Sequence, residues 1–176
     1  PPDPVVEKIR EAVLDPRNSR YSASAGVYNL RRDMAHKYQR KWGVELDPNT
    51  EVIATIGSKE GFSHMCLAMM GPGDIAVVPD PAFQIHTTAV VLAGGSVYLV
   101  PMGNDEAFLA RIDDVRRHPQ PKPKVIILCY PNNPTTMTVD PGFFEKVVEL
   151  ADQHQVIIMH DFAYGETAFD GYQPPS

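Results

Sequence analysis

Apolar residues recur along this chain with two different periods, and the change between them orders it. Val5, Val6, Ile9, Val13 and Leu14 fall on one side of a helix, which predicts a helix from Val5 to Leu14. After a polar, small-residue loop from Arg17 to Val27, a stripe of Leu30, Met34, Tyr38 and Trp42 predicts a second helix, basic on its far face. That basic face reads as solvated. Beyond the turn Asp47-Pro48-Asn49, short β-branched runs alternate with helical spacing. Strands are predicted over Glu51–Ile56, Ile75–Val78, Ser96–Val100, Lys124–Cys129 and Val156–Met159. Helices are predicted over Ser58–Met70, Phe83–Leu92 and Ala107–Arg117, and a last one opens at Asp140-Pro141. The expected buried face of that last helix is Phe144, Val147, Val148 and Ala151. Val-Ile-Ile-Leu in the fourth strand is apolar on both faces, as a central parallel strand requires. The series predicts an α/β fold: a three-layer, mostly parallel sheet flanked by helices.

Composition narrows the class. The chain has 176 residues, 43% of them hydrophobic and 22% charged, enough for one domain with a real core. A net charge of −6 argues against nucleic acid or an anionic membrane as a main partner. No apolar run is long enough to span a bilayer. Cys66 and Cys129 sit in apolar segments and read as reduced core residues, which fits a cytoplasmic protein. No metal-ligand pattern stands out.

The candidate chemistry lies where predicted strands end, the place where open α/β sheets hold ligands. Gly57-Ser58-Lys59-Glu60 joins a strand to a helix, with Ser58 read as the cap. The helix N-terminus there suits an anion such as phosphate. Phe83, in Asp80-Pro81-Ala82-Phe83, can stack on a flat ring, and His86 follows one helical turn on. Asn133 and its flanking prolines follow a buried strand directly. Asp161 ends another, with Tyr164 three residues later. An acid on a buried strand needs a cationic partner, and a protonated ring nitrogen is one. Each residue also has a plain reading: Ser58 as a cap, Phe83 and Tyr164 as packing, His86 as a surface or capping histidine, Asp161 as a loop cap. His160 faces away from Asp161 in an extended segment and reads as structural.

Taken in order, these motifs resemble the class I/II aminotransferases, fold-type I pyridoxal-phosphate enzymes, and within them the alanine and LL-diaminopimelate aminotransferase branch. The matching pieces are Tyr21 to Val27 with Leu30-Arg31-Arg32, Gly57 to Glu60, Pro79 to Phe83, Tyr130 to Thr136 and His160 to Tyr164. The resemblance implies the aspartate-aminotransferase-like fold. Residues 1–20 would lead in from a small domain, and residues 21–176 would form part of the large cofactor-binding domain. It implies pyridoxal 5'-phosphate as cofactor, with Asp161 on the pyridine nitrogen and Asn133 and Tyr164 on the phenolic oxygen. Phe83 would lie against the ring, His86 behind Asp161, and Ser58 and Lys59 at the phosphate. Tyr21 would reach the phosphate of a neighbouring subunit, hence a homodimer. Substrates would be an amino acid and a 2-oxo acid. Ala25, where many relatives carry arginine, and Thr136, where glycine is usual, depart from the pattern.

The family's Schiff-base lysine lies downstream of the Asp-Tyr motif. All seven lysines here (Lys8, Lys37, Lys41, Lys59, Lys122, Lys124 and Lys146) precede Asp161. The reading is therefore of a fragment, with no catalytic lysine of its own. A carbon–sulfur lyase or an amino-acid decarboxylase of the same fold shares these residues. A non-catalytic α/β or nucleotide-binding module is the other alternative, although no Gly-x-Gly-x-x-Gly opens any strand–helix junction. The 176 residues alone are expected not to transaminate alanine with 2-oxoglutarate. Turnover by them in a coupled assay would overturn the assignment of the covalent step to a downstream lysine.

Overall fold

The computed structural model describes residues 1–103, 105–117 and 121–175. The chain forms two compact units, Pro1–Thr55 and Ile56–Ser176. In the first, helix α1 (Asp3–Leu14) starts earlier than its apolar stripe because Pro2 takes the cap position and Pro4 fits the first turn. The stripe itself, from Val5 to Leu14, is exposed. Helix α2 (Tyr28–Trp42) ends on Gly43 in the left-handed conformation, φ 71°. Arg31 ties the preceding loop together, donating from Nε to the Gly26 carbonyl at 3.1 Å and from a terminal nitrogen to the Pro48 carbonyl. A Cβ on Gly26 would lie 2.4 Å from that of Ala54, so only glycine fits there.

The second unit is the βαβ series. Its elements are α3 (Ser58–Met69), β1 (Ile75–Asp80), α4 (Gln84–Leu92), β2 (Ser96–Pro101), α5 (Asp105–Arg117), β3 (Pro123–Cys129), α6 (Pro141–His154) and β4 (Ile157–Asp161). The four strands are all parallel, in the order β2-β1-β3-β4. Period-two alternation sends side chains to two separate cores. Ala76, Val78, Val125, Ile127 and Met159 pack with α3 and α4 through Phe62, Cys66, Ala89 and Val90. Val77, Val100, Ile126 and Leu128 pack with α5 and α6 through Phe108, Ile112, Phe143 and Val147. Helices on both faces make the three predicted layers.

Three sequence expectations are corrected. Glu51–Ile56 is not a strand; it is a turn followed by irregular chain that pairs with no described strand, with Ile53 and Ile56 exposed. Ser58 is not the cap of α3. Gly57 takes that position at φ 81°, ψ 161°, a region open essentially to glycine alone, and Ser58 is the first helical residue. The buried face of α6 is Phe143, Val147 and Ala151, whereas Val148 is 54% exposed. Val147→Ala is expected to cost about 2–3 kcal/mol in chemical denaturation, from two lost methyl groups and the cavity left behind. Val148→Ala should change stability by less than about 0.5 kcal/mol.

Candidate functional site

β1 sends the chain to β2 on one side through α4, and β2 returns it to β3 on the other side of β1 through α5. The order of the strands reverses between β1 and β3. Open sheets leave a crevice at the carboxyl ends of such strands. Pro81-Ala82-Phe83 follows β1 there, and the turn from Tyr130 to Asn133 follows β3.

The last residues of β3 and β4, Cys129 and Asp161, are register partners on the α3/α4 face of the sheet. α4 places His86 against them. His86 Nε2 lies 3.0 Å from Asp161 Oδ2, and the two residues are 1% and 8% exposed. Asp161 Oδ1 accepts from the Ala163 N–H at 3.2 Å. Burial pushes the Asp161 carboxyl up, but the hydrogen bond and charge of His86, with the Ala163 N–H, outweigh it. The group is held below the usual carboxylate range. Burial is also the main reason that the Cys129 thiol is pushed up to about 11. On the opposite face, His160 packs between Phe144 and Phe162, 4.8 and 5.0 Å between ring centroids. Burial lowers its pKa.

A line of contacts leads from Asp161 to the start of α3. His86 packs against Phe62, 5.1 Å between centroids, and edge-on to Phe83 at 6.0 Å. Phe62 lies one turn along α3 from Ser58. Lys59 Nζ sits 5.0 Å from the Phe83 ring centroid. The Glu60 carboxylate reaches back to the Ile56 N–H. The first N–H groups of α3 have no carbonyl four residues back to bond, so this end favours an anion.

A second group forms where the loops after β3 and β4 meet. Asn133 Nδ2 donates to the Tyr164 hydroxyl at 3.0 Å. Tyr164 keeps its own hydroxyl proton and Asn133 a second N–H, so the pair can present two donors to one oxygen. Asn132, buried at 5%, holds the turn: its Oδ1 accepts from the Thr135 N–H and hydroxyl at 3.1 and 2.7 Å. Thr136 stands at φ 60°, a strained value for a β-branched residue. Gly165 is needed under Tyr164, since a Cβ there would lie 2.3 Å from the Phe162 ring. A cleft of about 670 Å³ adjoins Asn133 and Tyr164, between the 131–138 and 164–172 loops.

Seven of the eight predicted site residues thus lie in one unit, in the loops and strand ends, at the start of α3 or, for His86, on α4. Tyr21 lies in the other unit and is fully exposed. Sequence reasoning missed Cys129 and Asn132. Cys129 had a usable signal: like Asp161, it ends a predicted buried strand and so belongs to the same edge of the sheet.

The sequence profile of the family described as Aminotransferase class I and II matches residues 1–175. The chain is 41% identical to the LL-diaminopimelate aminotransferase of Syntrophobacter fumaroxidans over 99% of its own length and 45% of that protein's. It is 42% identical to the glutamate-pyruvate aminotransferase AlaC of Escherichia coli, over 99% of its length and 42% of the relative's. Among solved structures it is similar to apo-BacF from Bacillus subtilis, with a TM-score of 0.90 and 32% identity, covering 99% of this chain and 46% of that one. The chain spans less than half the length of these relatives.

His86→Ala removes the side-chain partner of a buried carboxylate and is expected to cost about 3–5 kcal/mol at neutral pH. In the parent, a depressed folded pKa adds stability above about pH 3.9, lost as pH falls through the lower folded value. In the variant, uncompensated burial raises the folded pKa of Asp161, so the deficit should narrow as pH falls from 7 towards 4. Urea denaturation of the cofactor-free protein at several pH values reads both effects; a deficit independent of pH would show that Asp161 is not the group relieved.

Proposed function

Because the chain belongs to the class I and II aminotransferases, we propose that it forms the cofactor-binding part of an enzyme that moves an amino group from an amino acid to a 2-oxo acid on pyridoxal 5'-phosphate. The observation that carries this reading is the buried Asp161 carboxylate, kept ionised by His86 at the carboxyl edge of the sheet, on the strand beside the point where the strand order reverses.

The residues fit the cofactor. A buried carboxylate with acceptor sites left over after His86 and Ala163 calls for a cation, and a pyridinium nitrogen is one. Asn133 and Tyr164 together offer donors for a phenolic oxygen. Phe83 offers an aromatic face. The N-terminus of α3, with Ser58 and Lys59, offers backbone donors and positive charge for a phosphate. When bound, pyridoxal phosphate supplies an electron sink for the pair left at the substrate α-carbon.

In this proposal the protein's own work is electrostatic. Asp161 holds a proton on the ring nitrogen by keeping a negative charge beside it. His86 keeps that carboxylate oriented and charged. Asn133 Nδ2 and the Tyr164 hydroxyl stabilise negative charge on the phenolic oxygen. Tyr21 is proposed to reach the phosphate of a second subunit in a homodimer, in a cytoplasmic setting consistent with two free, buried cysteines. Among the described residues no helix is long and apolar enough to cross a membrane.

The test uses the polypeptide at its full natural length. Adding pyridoxal phosphate is expected to give a saturable change in visible absorbance, and its absence would sink the cofactor reading. Tyr164→Phe removes one hydrogen bond to a charged oxygen, about 1.5–3 kcal/mol, so cofactor affinity should fall about 10- to 150-fold. Product analysis then separates the chemistries. A new amino acid paired with a 2-oxo acid supports transamination; pyruvate with ammonia, or carbon dioxide, would defeat it.

A further inference from the structure

The proposed reaction uses Asp161 and His86 but leaves Cys129 without a task. We propose that His86, Cys129 and Asp161 form a binding site for a thiophilic divalent cation of the zinc class, accessible when no cofactor lies over Asp161. Three elements converge to make it: α4 brings the imidazole, β3 the thiol and β4 the carboxylate. One donor atom from each lies within 4.8 Å of the others, and all three residues are buried. Nitrogen, sulfur and oxygen donors in this combination suit zinc and cobalt rather than magnesium or calcium.

The geometry needs only a small adjustment. Tetrahedral bonds of about 2.0–2.3 Å set donors about 3.3–3.8 Å apart. The His86–Asp161 pair, now at 3.0 Å, opens slightly, and the thiol closes in by about 1 Å on that same scale. The thiol gives up a weak sulfur hydrogen bond to the Pro131 carbonyl, 3.5 Å, as it turns to the ion. Charge also balances. Cys129 gives up its proton to solvent, the proton that His86 Nε2 shares with Asp161 leaves that nitrogen as well, and thiolate and carboxylate together neutralise the divalent ion, with His86 as a neutral donor. A water completes the shell, as in zinc sites with three protein ligands.

A metal on Asp161 takes the charge that would face the ring nitrogen. Metal and cofactor therefore exclude each other, a consequence that rests on the function proposed above, whereas the metal site does not.

The experiment titrates Co²⁺ into cofactor-free protein of full natural length and follows the thiolate-to-cobalt charge-transfer band. One equivalent should give the band, Cys66→Ala should keep it, and Cys129→Ser should weaken binding by about 100-fold or more, beyond the usual loss from an outer-shell partner. Pyridoxal phosphate should then abolish the band. No thiolate band in the parent protein, or an unchanged band in a folded Cys129→Ser variant, would overturn the site. A band lost in Cys129→Ser yet surviving saturation with pyridoxal phosphate would uphold the metal site and overturn Asp161 as the cofactor's counter-charge.

Discussion

Burying a carboxylate costs several kcal/mol unless hydrogen bonds and opposite charge replace water, and Asp161 is 8% exposed. Much of the second unit answers that constraint. The partner, His86, stands 75 residues earlier on α4 and reaches Asp161 because α4 lies on the same face of the sheet as the Asp161 side chain. Beyond α4 the chain turns closely against its neighbours. A Cβ on Gly95 would come within 3.1–3.3 Å of Met70 and Val90. Phe62, packed on His86, fixes the imidazole from the side of α3. A charge placed at a strand end has thus specified the packing of two helices.

Strand parity divides the labour at that edge. Asp161 and Cys129 point to the α3/α4 face, while His160, one residue away, points to the α5/α6 face and stacks between phenylalanines. A slip of one residue in β4 would bury the imidazole where the carboxylate belongs. The adjacent asparagines divide in the same way. Asn132 spends its side chain on the turn, and Asn133 is left to meet Tyr164.

Much of this was legible in the sequence. A parallel strand buried on both faces, such as Pro123–Cys129, announces itself as an unbroken apolar run. The polar residues that end such runs are conspicuous because no core accounts for them. Other features depended on tertiary context. Phe143/Val147 and Phe144/Val148 are two adjacent lines with the same spacing, and only the position of the sheet decides which is buried. Val52 to Ile56 has strand composition, but a strand exists only with a partner, and none of the described strands pairs with it. Ser58 has good capping chemistry, yet Gly57 reaches a backbone conformation that serine resists and takes the position. Register, which sets Cys129 beside Asp161, is invisible to any local pattern.

The same register is what lets the two proposals share one cluster. A buried carboxylate backed by an imidazole stabilises any adjacent cation, and nothing in that pair distinguishes a protonated ring nitrogen from a metal ion. The distinction lies in the neighbours. In the proposed reading, Asn133, Tyr164 and the start of α3 would select for a flat, anionic ligand that carries its cation at one end. Cys129 selects for a soft metal, because a thiol contributes little to a pyridinium but becomes a strong ligand once deprotonated. The outcome therefore turns on which cation arrives with more of its remaining charge satisfied. An ion compact enough to sit among three buried donors would need only those donors, whereas the proposed cofactor would need the whole crevice.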